Sequence, residues 1–213
     1  MRINKYLAHC GVASRRKSEK IILDGRITIN NEIITDLSCI VKDKDVVEID
    51  GNRIRTPQIQ EYYILHKPKG YICSNSDELG RKNITDLIKT KKRIYPVGRL
   101  DKDTTGLILL TDDGDFTNRI LHPKYKITRK YYAYTKETLA LKDINKIKKG
   151  IFLRKGERVQ ADIKHTDFVK GKHKWRVILK EGKKREIRRI FLRFDLKVYN
   201  LHRYAFGKLT LKG

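Results

Sequence analysis

The sequence has little of what marks a secreted, membrane-bound or metal-holding protein. Its three cysteines, Cys10, Cys39 and Cys73, are odd in number and far apart, with no Cys-x-x-Cys pair and no disulfide-scaffold spacing. Reduced thiols are therefore expected, with Cys10 and Cys73 helping to fill the interior. The six histidines show no i, i+4 pairing, which leaves a structural zinc site without support. No apolar run approaches the roughly 20 residues of a membrane-spanning helix, and Met1 to Val12 lacks the apolar core of a signal peptide. A cytoplasmic location and no membrane contact follow as expectations. Acidic residues are the largest deficit. Against 50 Lys and Arg there are only 25 Asp and Glu, a formal charge of +25. Self-repulsion of that size is tolerated best beside a polyanion, so nucleic acid is the expected partner.

At 39% hydrophobic content over 213 residues, the chain can bury one large core or two modest ones. A first module spans residues 1–56. Ile3, Leu7 and Cys10 follow helical spacing and Gly11 ends that helix; Ser14 is a natural N-cap for a second helix, closed by Gly25. Arg15, Arg16, Lys17 and Lys20 crowd its first turns, where the dipole already carries positive charge. A bound phosphate reverses that penalty, since it gains from both the free amides and the guanidiniums. Alternation over Arg26 to Asn30, the Asn30-Asn31 turn and Ile33 predict a hairpin, and Val46 to Ile54 predicts another about Asp50-Gly51. Residues 57–60 read as a linker.

The second module, 61–213, carries strand patterns over Tyr62 to His66, Tyr71 to Ser74 and Ile94 to Leu100, and over Thr128 to Thr135, Val159 to Thr166, Trp175 to Lys180 and Lys197 to Leu211. Helical patterns cover Ile84 to Ile88, Phe116 to Leu121, Leu139 to Lys149 and Lys183 to Phe194. Strands in runs with interspersed helices predict an α+β fold. The basic run Lys170 to Lys174 reads as a solvated hairpin tip.

Within this module, residues 98–115 (GRLDKDTTGLILLTDDGD) place one acid, Asp101, where an apolar strand breaks into a polar loop before Gly106 opens a second strand over Leu107 to Leu110. Loops mounted on rigid strands commonly carry active sites. Asp103, Asp112, Asp113 and Asp115 raise a rival reading, a Mg²⁺-dependent nuclease, although Asp112-Asp113-Gly114 reads as a turn.

The wording Gly98-Arg99-Leu100-Asp101, Thr105-Gly106-Leu107 and Thr111-Asp112-Asp113-Gly114 resembles the signature of the bacterial ribosomal small-subunit and large-subunit pseudouridine synthases that carry an S4 domain. Arg2 to Ala8, Gly11 to Arg16, Glu19 and Gly25 to Asn30 likewise resemble an S4 RNA-binding domain. The resemblance implies a small S4-like domain followed by a mixed, largely antiparallel-sheet catalytic domain. It implies isomerisation of a uridine in ribosomal RNA, with the large-subunit branch closer in wording. Small-subunit RNA is the alternative target, and a non-catalytic rRNA-binding or assembly factor is the alternative role.

By the same resemblance Asp101 is the essential carboxylate, Tyr131 the aromatic platform after Arg129-Lys130, and Arg188, in Arg185-Glu186-Ile187-Arg188-Arg189, the cation that pairs with the acid. RNA contacts fall to Arg2, Lys5, Arg15, Arg16, Lys20, Arg26, Arg99, Arg185 and Arg189. The reaction needs no cofactor and no metal, because one glycosidic bond is exchanged for a carbon–carbon bond without net redox change. A carboxylate in a dry pocket is disfavoured by burial, and a nearby guanidinium offsets that. The partner expected is ribosomal RNA or a ribosome assembly intermediate, bound by a monomer.

Overall fold

The structure, a computed structural model, describes residues 1–57, 59–74, 77, 79–153 and 156–211. The chain divides into two compact units, Met1–Tyr62 with Thr90–Ile94 and Thr111–Gly114, and Tyr63–Lys89 with Tyr95–Leu110 and Asp115–Gly213.

In the first unit, helix α1 (Ile3–His9) and helix α2 (Arg15–Leu23) accompany a four-stranded antiparallel sheet, β2-β1-β3-β4, built from β1 (Ile27–Ile29), β2 (Glu32–Ile34), β3 (Val47–Ile49) and β4 (Asn52–Ile54). Ser14 caps α2 by accepting the Lys17 amide at 3.2 Å. Asn30 and Asn31 take the positive φ the β1–β2 turn requires. Ile3, Leu7, Ile22, Ile27, Ile29, Val41 and Val47 form the core, and the Asn4 amide donates to the Glu19 carboxylate at 2.9 Å, joining the helices. Two of the acids behind the nuclease reading are structural: Asp112 accepts the Glu61 amide at 2.8 Å, and Asp113 accepts the Tyr62 hydroxyl at 2.7 Å.

The second unit is built on a mixed sheet in the order β11-β12-β8-β13-β7-β5, with short β6 (Tyr95–Pro96) paired to β7 and a separate pair of β9 (Ile151–Phe152) and β10 (Arg158–Val159). Its strands are β5 (Tyr62–Lys67), β7 (Thr104–Thr111), β8 (Arg129–Thr135), β11 (Asp162–Val169), β12 (Lys172–Leu179) and β13 (Asn200–Phe206). The β7–β13 pair is parallel, and β13–β8, β8–β12 and β12–β11 are antiparallel. Burial alternates along β8, β12 and β13. Tyr131, Ala133, Trp175, Val177, Leu201 and Arg203 point inward. Helix α5 (Glu186–Leu192) packs on that face, its Phe191 ring edge-on to Trp175 at 6.0 Å. Helices α3 (Gly114–Leu121) and α4 (Leu141–Lys149) complete the unit.

Several expected elements differ. Tyr71 to Ser74 contributes one bridge, Ile72 to Asn83, and no strand. The Ile94 to Leu100 pattern shrinks to Tyr95–Pro96, since Gly98 turns to φ +75° and breaks the extension. Gly114 opens α3 instead of closing a turn. The Lys170 to Lys174 tip is a two-residue turn, with Lys172 to Lys174 already in β12. Gly207 divides the last expected strand into β13 and β14 (Leu209–Thr210). All three cysteines are free and half-buried, and burial pushes the Cys10 thiol up to about 11.

Gly106 fixes the parallel contact beside the loop of Asp101. It holds φ +111°, and a Cβ there would sit 2.2 Å from the Arg203 carbonyl oxygen. Gly106→Ala is expected to cost at least about 3 kcal/mol, read from urea unfolding midpoints; a loss within the ordinary surface range would contradict the backbone contact.

His202 shares a hydrogen bond with the Thr105 hydroxyl at 2.9 Å and meets the His66 ring edge-on at 5.3 Å. Burial, then His66, lowers its pKa from 6.5. The unfolded chain therefore takes up the proton first as pH falls, so stability should drop on acidification below that value. His202→Gln should flatten this slope in unfolding curves measured between about pH 5 and pH 7.

Candidate active site

The site is assembled around the segment Leu100 to Thr104, and a buried cation holds it there. Lys67, at the end of β5, is 0% exposed, and its ammonium donates to the carbonyls of Pro68 at 3.0 Å, Lys102 at 3.2 Å and Thr104 at 2.8 Å. Burial pulls its pKa down, while Cys73, Asp103 and Asp101 oppose that. The Gly70 amide also donates to the Lys102 carbonyl at 2.9 Å, the Thr104 amide to that of Asp101 at 3.0 Å, and the Leu100 amide to the Cys73 sulfur at 3.4 Å. A polar stretch outside any strand ladder is thus pinned on both sides.

Asp101 is half-buried on this loop and faces a cavity of about 740 Å³, within the second unit. Tyr131 lines the same cavity, 7% exposed, and stands opposite Arg203 of β13 in the sheet register. Arg99 and Arg185 line it as exposed cations, and Arg185 adopts φ +51° at the start of α5.

Arg188 lies one turn into α5, half-buried. Its Nη1 donates to the Val198 carbonyl at 2.6 Å, while Nε and Nη2 are buried without hydrogen-bond partners among the described residues. Burial and Arg185 lower its pKa, and Asp101 and Asp103 raise it, so the acid and the guanidinium lie within electrostatic range. Among the described residues no ion pair within 4.0 Å joins Arg188 to Asp101. The Val198 carbonyl holds the side chain instead.

Two residues expected at an RNA surface are engaged by acids. Arg26 forms a forked pair with Asp50, and Arg189 pairs with Glu157, whose carboxyl is held below its ordinary range by that contact. Arg2, Arg15, Arg16 and Lys20 are exposed on the first unit, and Lys5 is half-buried there.

The sequence reading missed three cations of the second unit. Lys67 is one. Arg129 lines the cavity and donates to the Ile127 carbonyl at 3.0 Å. Arg203 is 2% exposed, gives Nε to the Leu107 carbonyl at 2.7 Å, lies 5.2 Å over the Phe206 ring, and keeps Nη2 buried without a partner. Its signal was available, because an arginine between Leu201 and Ala205 occupies an inward position of an alternating strand. Among the described residues no cluster of three His, Cys, Asp or Glu side chains suits a metal ion, and no helix is long and apolar enough to cross a membrane.

Comparison with known proteins is consistent over the whole chain. The sequence model of the RNA pseudouridylate synthase family matches residues 61–193, and that of the S4 domain matches residues 1–47. A protein of Bacillus subtilis named ribosomal large subunit pseudouridine synthase B is 38% identical, the match covering 100% of this chain and 88% of the relative. An uncharacterized RNA pseudouridine synthase of Aquifex aeolicus is 40% identical, covering 99% and 86%. A crystal structure of a pseudouridylate synthase superposes with a TM-score of 0.70 at 28% identity, covering 100% of this chain and 91% of that one.

Removing the Lys67 ammonium tests the pinning of the loop. Lys67→Met takes a donor from three carbonyls, and the shortfall at the buried one, that of Thr104, costs about 1–3 kcal/mol. The Gly70 and Thr104 amides should then exchange with deuterium at least about tenfold faster than in the unaltered protein. Unchanged protection would mean that the loop is held by other contacts.

Proposed function

Since the chain belongs to the RNA pseudouridylate synthase family, with an S4 domain at its N-terminus, we propose that it isomerises a specific uridine of ribosomal RNA to pseudouridine in the cytoplasm. The name of the Bacillus subtilis relative favours the large subunit. Residues 1–56 serve as the RNA-gripping module, 57–60 as the linker and 61–213 as the catalytic module.

The observation that carries this reading is a single carboxylate, Asp101, on a pinned loop at a cavity lined by Arg99, Tyr131, Arg185 and Arg203. A cavity of about 740 Å³ can accept an extruded nucleoside. Asp101 begins the reaction either by taking the C2′ proton or by acting as a nucleophile on sugar or base. The N1–C1′ bond breaks, the uracil turns, C5 joins C1′, N1 gains a proton and C5 loses one. Tyr131 offers its ring to the uracil and its hydroxyl to the departing C5 proton. Arg188 and Arg203, each anchored to a backbone carbonyl and with further donors unpaired among the described residues, offer those donors to the anionic groups of the bound nucleotide. Arg2, Lys5, Arg15, Arg16 and Lys20 contact RNA phosphates from the first unit.

The decisive experiment incubates the protein with unmodified ribosomal RNA, with Mg²⁺ and again in EDTA, and maps pseudouridine by carbodiimide-dependent reverse-transcription stops. One site in the large-subunit RNA should react equally in both. Asp101→Asn should lower the rate by about 10³ or more while RNA binding persists. Full modification by this variant would remove Asp101 from the chemistry, a small-subunit site would reassign the target, and chain cleavage requiring Mg²⁺ would replace the reading with a nuclease.

A further inference from the structure

The inward side chains of the central sheet serve the cavity, and its outer face has no part in the chemistry. We infer that this outer face, on β12, β8 and β13, is a second RNA-binding surface that stacks bases of a single strand on Tyr132 and Tyr204 and holds its phosphates with the surrounding cations.

Strand alternation gives the composition. On β8 the outward positions are Lys130, Tyr132 and Tyr134; on β12 they are Lys172, Lys174, Arg176 and Ile178; on β13 they are Asn200, His202 and Tyr204. Asn200 is exposed and the others are half-buried. No acid occurs anywhere in these three strands. Acids on the neighbouring edge strand β11 are Asp162, opposite Ile178, and Asp167, opposite Lys174, with the Asp167 carboxylate accepting its neighbour's amide at 2.8 Å.

The side chains are organised rather than scattered. Tyr132 and Tyr204 stack, with centroids 4.4 Å apart and planes 21° from parallel. The Lys174 ammonium lies 4.2 Å from the Tyr132 centroid. Burial, then Tyr132, raises the pKa of Tyr204, and the nearby Arg176 opposes that. At the end of the same strands, Tyr199 donates its amide to the Tyr134 carbonyl, and three ammoniums converge on its ring: Lys136 at 5.5 Å, Lys172 at 5.5 Å and Lys197 at 5.4 Å.

Three like charges around one ring repel one another, and a phosphodiester placed among them relieves that repulsion. An acidic protein would satisfy the cations but would gain little from a stacked tyrosine pair. Nucleobases gain from both, as on other sheet platforms that read single strands through aromatic rings. Charge complementarity thus selects RNA as the occupant. The surface lets one RNA engage the cavity and the opposite side of the same sheet, so its affinity exceeds what the cavity contributes alone.

The inference rests on the RNA reading of the chain and not on Asp101, because equilibrium binding needs no turnover. If Asp101→Asn still modified RNA, the catalytic assignment would fall and this measurement would stand. The whole chain is titrated against a fluorescent single-stranded oligouridylate, and ultraviolet crosslinks to the same RNA are mapped to peptides in the unaltered protein. Crosslinks are expected in the peptides containing Tyr132 and Tyr204. Lys174→Glu with Arg176→Glu should weaken binding at least about tenfold and lower the dependence on salt by roughly one per cation removed. Tyr204→Leu should weaken it about fivefold or more with the salt dependence unchanged. Affinity within about twofold in the charge-reversed protein, with crosslinks confined to other peptides, would overturn the inference. So would a dimer that the charge reversal dissolves while RNA affinity stays the same.

Discussion

A buried lysine holds the candidate site together. Taking an ammonium out of water costs several kcal/mol, and Lys67 is tolerated because three carbonyls accept its protons at 2.8 to 3.2 Å. One of them, from Lys102, belongs to the loop that carries Asp101, and another comes from Thr104, where that loop enters β7. The Lys102 carbonyl lies outside the strand ladders, and the lysine and the Gly70 amide satisfy it. The loop is therefore polar in sequence and fixed in space, which suits the catalytic role proposed for Asp101.

The two inner arginines follow the same plan with an opposite balance. Arg188 and Arg203 each commit one nitrogen to a backbone carbonyl and leave others unpaired in the interior. A buried donor without an acceptor is costly and calls for an explanation, which the proposed nucleotide substrate supplies. Anchoring by one arm restrains the guanidinium, so little reorganisation would remain on binding such an anion. On the reading proposed above, a fully closed Asp101–Arg188 pair would occupy the acid and the donors together, whereas the separation found among the described residues leaves both for a nucleotide.

Local chemistry was readable in the sequence; long-range neutralisation was not. Ser14 before a basic helix, Asn30-Asn31 between alternating residues, and Thr128 to Thr135 all declare their structure through nearby residues. Gly98 misled, because a left-handed residue inside an apolar run ends a strand that hydropathy continues. Arg26 and Arg189 looked free because their acids, Asp50 and Glu157, lie 24 and 32 positions away. Lys67 was hidden for a related reason: it ends an ordinary strand, and only the return of the chain at 102–104 reveals that the residue is buried. Arg203 alone carried a local sign, a charge at an inward position.

The alternation that betrays Arg203 also constrains the whole central sheet. Any acid placed in β8, β12 or β13 would have to point inward, beside the guanidiniums of the cavity, or outward, among the lysines of the open face. In either direction it would neutralise a cation of the surfaces proposed to meet RNA. The lack of acids in these strands is therefore a property of both faces at once. The irregularity between Arg203 and Ala205 lets Tyr204 stand out of register, against Tyr132, while both its neighbours remain buried. Removing that extra residue would leave Ala205 opposite Lys130 and Phe206 opposite Arg129, as now, and would take away the ring that stacks on Tyr132. The irregularity thus adds an outward ring without moving Arg203 or Phe206 from the faces on which they lie.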